Sequence, residues 1–173
     1  KFTDISVVHT GIKEPKEFIN LPQQFSAVKV YDNRMEMSSI GLLQTSNAHI
    51  TLLKLKQPLT EAVKEHLSLV LQNPSTGNNS QVLHCFIKKL VLSDYINTAI
   101  TTEEQNLSSE KYDLAEKSGL FLILEFYLSK DSTYYPLYRF DTTITGKHSI
   151  EKDAAAYLAS GLTASVRKLA SLN

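Results

Sequence analysis

Gly119-Leu120-Phe121-Leu122-Ile123-Leu124-Glu125-Phe126-Tyr127-Leu128 is the densest apolar run in the chain, and its reading decides the fold. After Ser129-Lys130-Asp131-Ser132 comes Tyr134-Tyr135-Pro136-Leu137-Tyr138-Arg139-Phe140, then Asp141-Thr142-Thr143-Ile144. Leucines, β-branched residues and aromatics on both sides of a Lys-Asp-Ser turn read as two strands of a hairpin. Strand side chains alternate sides, so Leu120, Leu122, Leu124, Phe126 and Leu128 share one face. Glu125 falls on the other face, which must then be wet or hold a partner for the charge. A turn this short demands antiparallel pairing, because parallel neighbours need a long crossover.

On the C-terminal side, a helix is predicted over 150–172. Ser149 is its N-cap, Glu151 and Asp153 suit the positive end of the helix dipole, and Arg167 and Lys168 suit the negative end. Ala154, Ala155, Ala156, Ala159, Ser160, Gly161, Ala164 and Ser165 fill its middle with small side chains, which let a helix lie close on a sheet. On the N-terminal side, 81–95 is a strand whose apolar phase slips at Lys88-Lys89, as a β-bulge makes it do. Leu83, Cys85 and Ile87 share a face before the slip, and Leu90 and Leu92 after it.

Further upstream, 58–72 is a helix: Pro58 is tolerated at its start, and Leu59, Val63, Leu67, Val70 and Leu71 form one apolar stripe. Asn73-Pro74 ends it, and 74–80 is a loop. Shorter strands are predicted at 26–32, 39–45 and 49–56, and a short one around Ile5, Val7 and Val8. Residues 1–24 are otherwise irregular, broken by Gly11, Pro15 and Pro22, and 97–117 is a polar excursion between strands. The whole, 1–173, reads as a single α+β domain: an antiparallel, hairpin-rich β-sheet with two α-helices packed on one face.

With 173 residues, 42% of them hydrophobic, the chain is large enough to bury a core without metal or disulfide. Its 18 basic residues balance its 18 acidic ones, which argues against nucleic acid as a partner. Cys85 is the only cysteine, so no intrachain disulfide exists. No apolar run approaches the ~20 residues of a membrane span. The chain starts at Lys1, which fits a removed signal peptide and equally a trimmed N-terminus.

Candidate chemistry is sparse. His9, His49, His66, His84 and His148 show no metal-ligand spacing, and no cofactor motif occurs. His84 and Cys85 are strand neighbours pointing to opposite faces, so they cannot activate one another. Cys85, alternating with Leu83 and Ile87, reads as a buried apolar residue. Asp32-Asn33-Arg34 is a turn with a local Asp–Arg contact or, alternatively, a polar site at a strand end. Tyr127, Tyr134, Tyr135 and Tyr138 cluster along the hairpin and offer a stacking platform for a sugar or another flat ligand. Asn78-Asn79-Ser80 and Asn106-Leu107-Ser108 match glycosylation acceptors, a pattern frequent by chance.

The order of a Val28-x-Val30-Tyr31-Asp32-Asn33-Arg34 strand end, Ile40-Gly41, an amphipathic helix, a bulged strand, a hairpin bearing Tyr138-Arg139-Phe140 and an Ala-rich helix resembles the YajG-like lipoproteins. More loosely it is similar to the auxiliary lipoproteins of bacterial ABC-type transport systems. The likeness covers about three quarters of the chain, with Val28, Val30, Asp32, Arg34, Ile40 and Gly41 as matching positions. The lipidated cysteine of such proteins is not in this sequence, since Cys85 lies far inside. The resemblance implies a bacterial cell-envelope protein, periplasmic or outer-membrane-associated, that is not an enzyme and needs no cofactor. It implies action by contact with another envelope protein, or with lipid or glycan. Two alternatives stay open: a small-ligand (for example glycan) binding module, and an enzyme with a dispersed site built from Asp32, Arg34 and His84.

Overall fold

A computed structural model of the chain describes residues 5–35, 38–45, 49–71, 81–94, 118–146 and 150–172. The 97–117 excursion, the 74–80 loop, His148, the Ser149 cap and both glycosylation-like triplets lie outside the described residues. The elements run β1 (Ile5–Thr10), β2 (Ala27–Asp32), β3 (Gly41–Thr45), β4 (His49–Leu55), α1 (Leu59–Val70), β5 (Val82–Ser93), β6 (Ser118–Lys130), β7 (Thr133–Gly146) and α2 (Ile150–Ala170). The fold is α+β, with both helices packed on a mixed, mostly antiparallel seven-stranded sheet.

The hairpin forms around Asp131 and Ser132, both at positive φ (49° and 67°), the two-residue geometry whose twist suits flanking strands. Asp tolerates that conformation through local bonding, which is why a Lys-Asp-Ser turn works without glycine. The phase slip at Lys88-Lys89 is a bulge, the register jumping from Ile87↔Leu124 to Lys89↔Ile123. A second jump in β7, where Phe126 pairs Tyr138 but Tyr127 pairs Pro136, leaves Leu137 as an extra residue.

The strands are joined in the order β1-β4-β3-β5-β6-β7, and β2 also pairs β5. Alongside the antiparallel ladders are three parallel pairs: β1 with β4, β2 with β5, and β3 with β5. Parallel partners are far apart in the chain and leave no turn between them to signal the pairing. β2 and β3 lie in one column beside β5. The chain leaves it after the Asn33 N–H donates to the Ile87 carbonyl (2.9 Å), and it is back where the Leu92 N–H donates to the Ile40 carbonyl (2.8 Å). Asn33 and Ile40 thus stand on either side of the bulge.

One sheet face is dry. Leu83, Cys85, Ile87, Leu90 and Leu92 of β5 and Leu120, Leu122, Leu124 and Phe126 of β6 are buried there under the two helices. The α1 stripe Leu59, Val63, Leu67 and Val70 and the α2 residues Ala154, Leu158, Leu162, Val166 and Leu169 close the core from above. α2 does lie close: a Cβ placed on Gly161 would stand 2.8 Å from a Leu120 methyl and 3.0 Å from a Leu122 methyl. The α2 start is tied down by Asp94, whose Oδ1 accepts from the Ile150 N–H at 2.8 Å. Among the described residues the opposite sheet face carries no helix.

Candidate functional site

The register divides the four hairpin tyrosines between the two faces. Tyr138 pairs Phe126 and Tyr135 pairs Leu128, so both take the helix-covered side. Tyr134 pairs Ser129, and Tyr127 alternates with Glu125, so both take the helix-free side. There they join residues that no hairpin pattern could bring in. β2 sets Lys29 beside His84 and Tyr31 beside Phe86, and β5 sets His84 beside Tyr127.

Tyr31, His84, Phe86, Tyr127 and Tyr134 form one cluster of rings. Tyr31 stacks on Phe86 (centroids 4.7 Å, planes 15° apart), Phe86 meets the Tyr127 edge at 5.4 Å, and His84 lies 4.9 Å from Tyr134. Spacings and tilts of this kind are those aromatic quadrupoles favour. Tyr134 is 54% exposed, so the cluster opens to solvent at the hairpin end.

His84 is the polar pivot of the cluster. Its Nδ1 lies 3.1 Å from the Tyr31 hydroxyl and its Nε2 lies 2.7 Å from Ser129 Oγ. A neutral imidazole has one N–H and one lone pair, so it donates to one hydroxyl and accepts from the other. Burial, helped by the charge of Lys29, pushes its pKa below the usual histidine value and keeps the ring neutral. Burial, together with Tyr134, pushes the Tyr31 hydroxyl above its ordinary value. The Ser129–His84–Tyr31 chain has the order nucleophile, base, orienter, but His84 is buried to 2% exposure between its two partners.

Glu125, predicted to be wet or paired, is paired. Arg139 Nη1 donates to its Oε1 at 3.0 Å, the Tyr127 hydroxyl donates to Oε2 at 3.3 Å, and Lys88 Nζ stands 4.0 Å away. On the same face Lys89 Nζ lies over the Phe121 ring, 4.4 Å from its centre.

Asp32 and Arg34 do not join this cluster. Arg34 donates from Nε and Nη2 to both Asp32 oxygens (2.8 and 2.9 Å), and from Nη1 to the Ser39 carbonyl (2.9 Å). Burial works to raise the Asp32 carboxyl, but the hydrogen bonds and charge of Arg34 outweigh it and hold the pKa below the usual carboxylate range. The pair straps Ser39 to the end of β2. His84 points to the opposite face, so Asp32, Arg34 and His84 do not assemble into one site.

Among the described residues no group of three His, Cys, Asp or Glu side chains could hold a metal ion, and no helix is long and apolar enough to cross a membrane. A cleft of about 440 Å³ lies between residues 13–17, α2 and Ile144 of β7. Ala156, Ala159, Thr163 and Ala164 line it, with Lys13, Lys16 and Arg167 among its charged residues. The 13–17 segment is pinned at both ends, by the Lys13 N–H on the Ala155 carbonyl (3.1 Å) and by Glu17 on Arg167.

No family model and no curated protein matches this sequence. Among solved structures, protein XCC0632 from Xanthomonas campestris, a member of family DUF330, matches with a TM-score of 0.52 over 95% of this chain and 92% of that one, at 10% identity. The likeness is one of fold. It agrees at that level with the layout read from the sequence, two helices on a hairpin-rich sheet of the YajG/DUF330 type.

Proposed function

We propose that this chain is a non-enzymatic accessory protein of the bacterial cell envelope, periplasmic or outer-membrane-associated, that binds another envelope protein through the helix-free face of its sheet. The observation that carries the contact is the cluster of Tyr31, His84, Phe86, Tyr127 and Tyr134 on a face over which, among the described residues, no helix lies. Rigid aromatic side chains bury much area at low entropic cost and supply most hot spots of protein interfaces. The hydroxyls of Tyr31, Tyr127 and Tyr134 add polar contacts at the rim of each ring. The envelope location rests on the resemblance to lipoproteins in the sequence.

The test is made in cells. A photo-crosslinking phenylalanine analogue at Tyr134 forms an adduct with an envelope protein, and the same analogue at Lys168, exposed on α2, does not. Tyr134→Ala weakens the contact about 30-fold, the cost of an aromatic hot spot. Adducts at both positions, or fractionation that leaves the full-length protein in the cytosol, overturn the reading.

A second reading, small-ligand binding, is favoured by the 440 Å³ cleft, which falls within the ~300–1,000 Å³ range of ligand sites. Titration with a short glycan then shifts the amide signals of Ala156, Ser160 and Ala164, and Ser160→Phe, which fills the cleft, abolishes the shifts. Unchanged spectra remove this reading.

A further inference from the structure

β7 is an outer strand: β6 pairs one of its edges, and among the described residues no strand pairs the other. An open edge carries a row of unpaired N–H and C=O groups, which proteins blunt with proline, bulges or charged side chains, lysine above all. Here Pro136 and the bulge at Leu137 blunt only the first part of the strand. From Tyr138 to Gly146 the register against β6 runs without a break, and the run Tyr-Arg-Phe-Asp-Thr-Thr-Ile-Thr-Gly holds neither proline nor lysine.

Two opposite charges stand on this open run, both exposed and both on the helix-free side. Arg139 pairs Glu125 across the ladder and donates to it at 3.0 Å. Asp141 pairs Ile123, so no basic group answers it from β6. Aspartate is disfavoured in strands, and the side from which a cation could still reach this one across a ladder is the open edge.

We propose that this edge pairs with β7 of a second copy, antiparallel, about a two-fold axis that is perpendicular to the sheet and passes at Phe140. Side chains directly opposite in a ladder share a face, so the axis passes at a residue and not between two. At Phe140 it sets Arg139 opposite Asp141 of the second copy, and Asp141 opposite the second copy's Arg139. Moved to Arg139 it would set arginine on arginine, and moved to Asp141 it would set aspartate on aspartate, both destabilising. The register centred on Phe140 is therefore the one that answers both charges. It also extends a row of alternating sign, since Lys88, Glu125 and Arg139 already follow one another within the chain. On the helix-covered side Phe140 meets Phe140 of the second copy, and Tyr138 meets Thr142, aromatic and β-branched pairs that add to a ladder. Gly161 of α2 bears on Leu120 and Leu122 of β6, one strand in from the edge. The pairing uses none of the ring cluster, and both helix-free faces look the same way.

Charge reversal tests it. The unaltered chain is dimeric by sedimentation equilibrium at about 100 μM. Asp141→Arg, whose neighbour within the chain is Ile123 and whose circular-dichroism melt stays that of the parent, pairs with itself about 30-fold more weakly. Arg139→Asp does the same. An equal mixture of the two variants dimerises like the parent, because every arginine then faces an aspartate. A second measurement alters no charge and reads the register by itself. Cys85 is fully buried and its burial raises the thiol pKa, so a nitroxide attaches to Thr145→Cys alone. An axis at Phe140 places the two labelled backbones about 33 Å apart, and an axis one residue to either side places them about 26 or 40 Å apart. A parent that is monomeric at that concentration, a mixture no more dimeric than either variant, or a label distance other than the first would each overturn the proposal.

Discussion

Arg34 brings a charge to a position only 7% exposed, and the three hydrogen bonds its side chain donates there determine what its removal costs. Arg34→Ala takes the side-chain donors from both Asp32 oxygens and from the Ser39 carbonyl, and leaves the carboxylate only the backbone N–H of residue 34. Stranding one member of a buried pair costs about 3 kcal/mol, more than an exposed ion pair could. Urea unfolding of Arg34→Ala shows a loss of that order. Arg34→Lys recovers less than half, because an ammonium cannot span both Asp32 oxygens and the carbonyl with one planar fork. A loss below 1 kcal/mol would mean that the strap contributes little to holding Ser39 against the end of β2. The sequence showed this pairing because both partners belong to one turn, two residues apart. It gave no sign of the Ser129–His84–Tyr31 chain, whose members meet only when β2, β5 and β6 come side by side.

At the scale of elements, two glycines separate close approach from impossible approach. A Cβ on Gly41 would sit 2.3 Å from the Leu92 carbonyl oxygen, a backbone atom fixed in the β3–β5 ladder. A Cβ on Gly161 meets only the tips of Leu120 and Leu122, which can rotate, and alanine in a helix gains roughly 1 kcal/mol over glycine. Gly161→Ala is therefore expected within about 1 kcal/mol of the parent in a thermal or urea melt, while Gly41→Ala loses about 3 kcal/mol as the ladder is forced apart. The reverse order would show that the helix, and not the β3–β5 junction, is the tighter contact. The small-residue helix, the bulge at Lys88 and the hairpin were all legible because each leaves a local signature: composition, a phase slip, a turn. The second bulge, at Leu137, was hidden by its setting. Tyr134, Tyr135, Leu137 and Tyr138 are all large and half apolar, so no change of alternation marks the extra residue, and the tyrosines read as one cluster when they belong to two faces. The parallel partners of β5 leave no local mark either, since their pairing is made through crossovers.

Across the whole molecule, two buried histidines make stability depend on pH in one direction. His66, its Nε2 3.1 Å from Thr163 Oγ1, sits between α1 and α2, and His84 sits on the opposite side of the sheet. Burial lowers the pKa of both, in His66 against the opposing pull of hydrogen bonds that the ring donates to the backbone at Lys13 and Ala159, and in His84 with the help of Lys29. In the unfolded chain a histidine titrates near pH 6.5. As pH falls below that value the unfolded chain takes up protons that the folded one refuses, so the contribution is fully present above about pH 6.5 and shrinks below it. Each histidine can remove at most about 1.4 kcal/mol per pH unit while only its unfolded form is protonated. Asp32 adds to the loss at lower pH, where protonation ends the advantage its depressed pKa confers above about pH 4. The melting temperature is expected to fall by roughly 5–8 °C between pH 7.5 and pH 5.0, about 2 kcal/mol for a chain of this size. His66→Gln lowers the melting temperature at every pH but flattens its slope over this range by about half, because a glutamine can bond Thr163 and cannot take the proton. A parent protein whose melting temperature is the same at pH 7.5 and 5.0 would show that the two imidazoles are protonated as easily inside the fold as outside it.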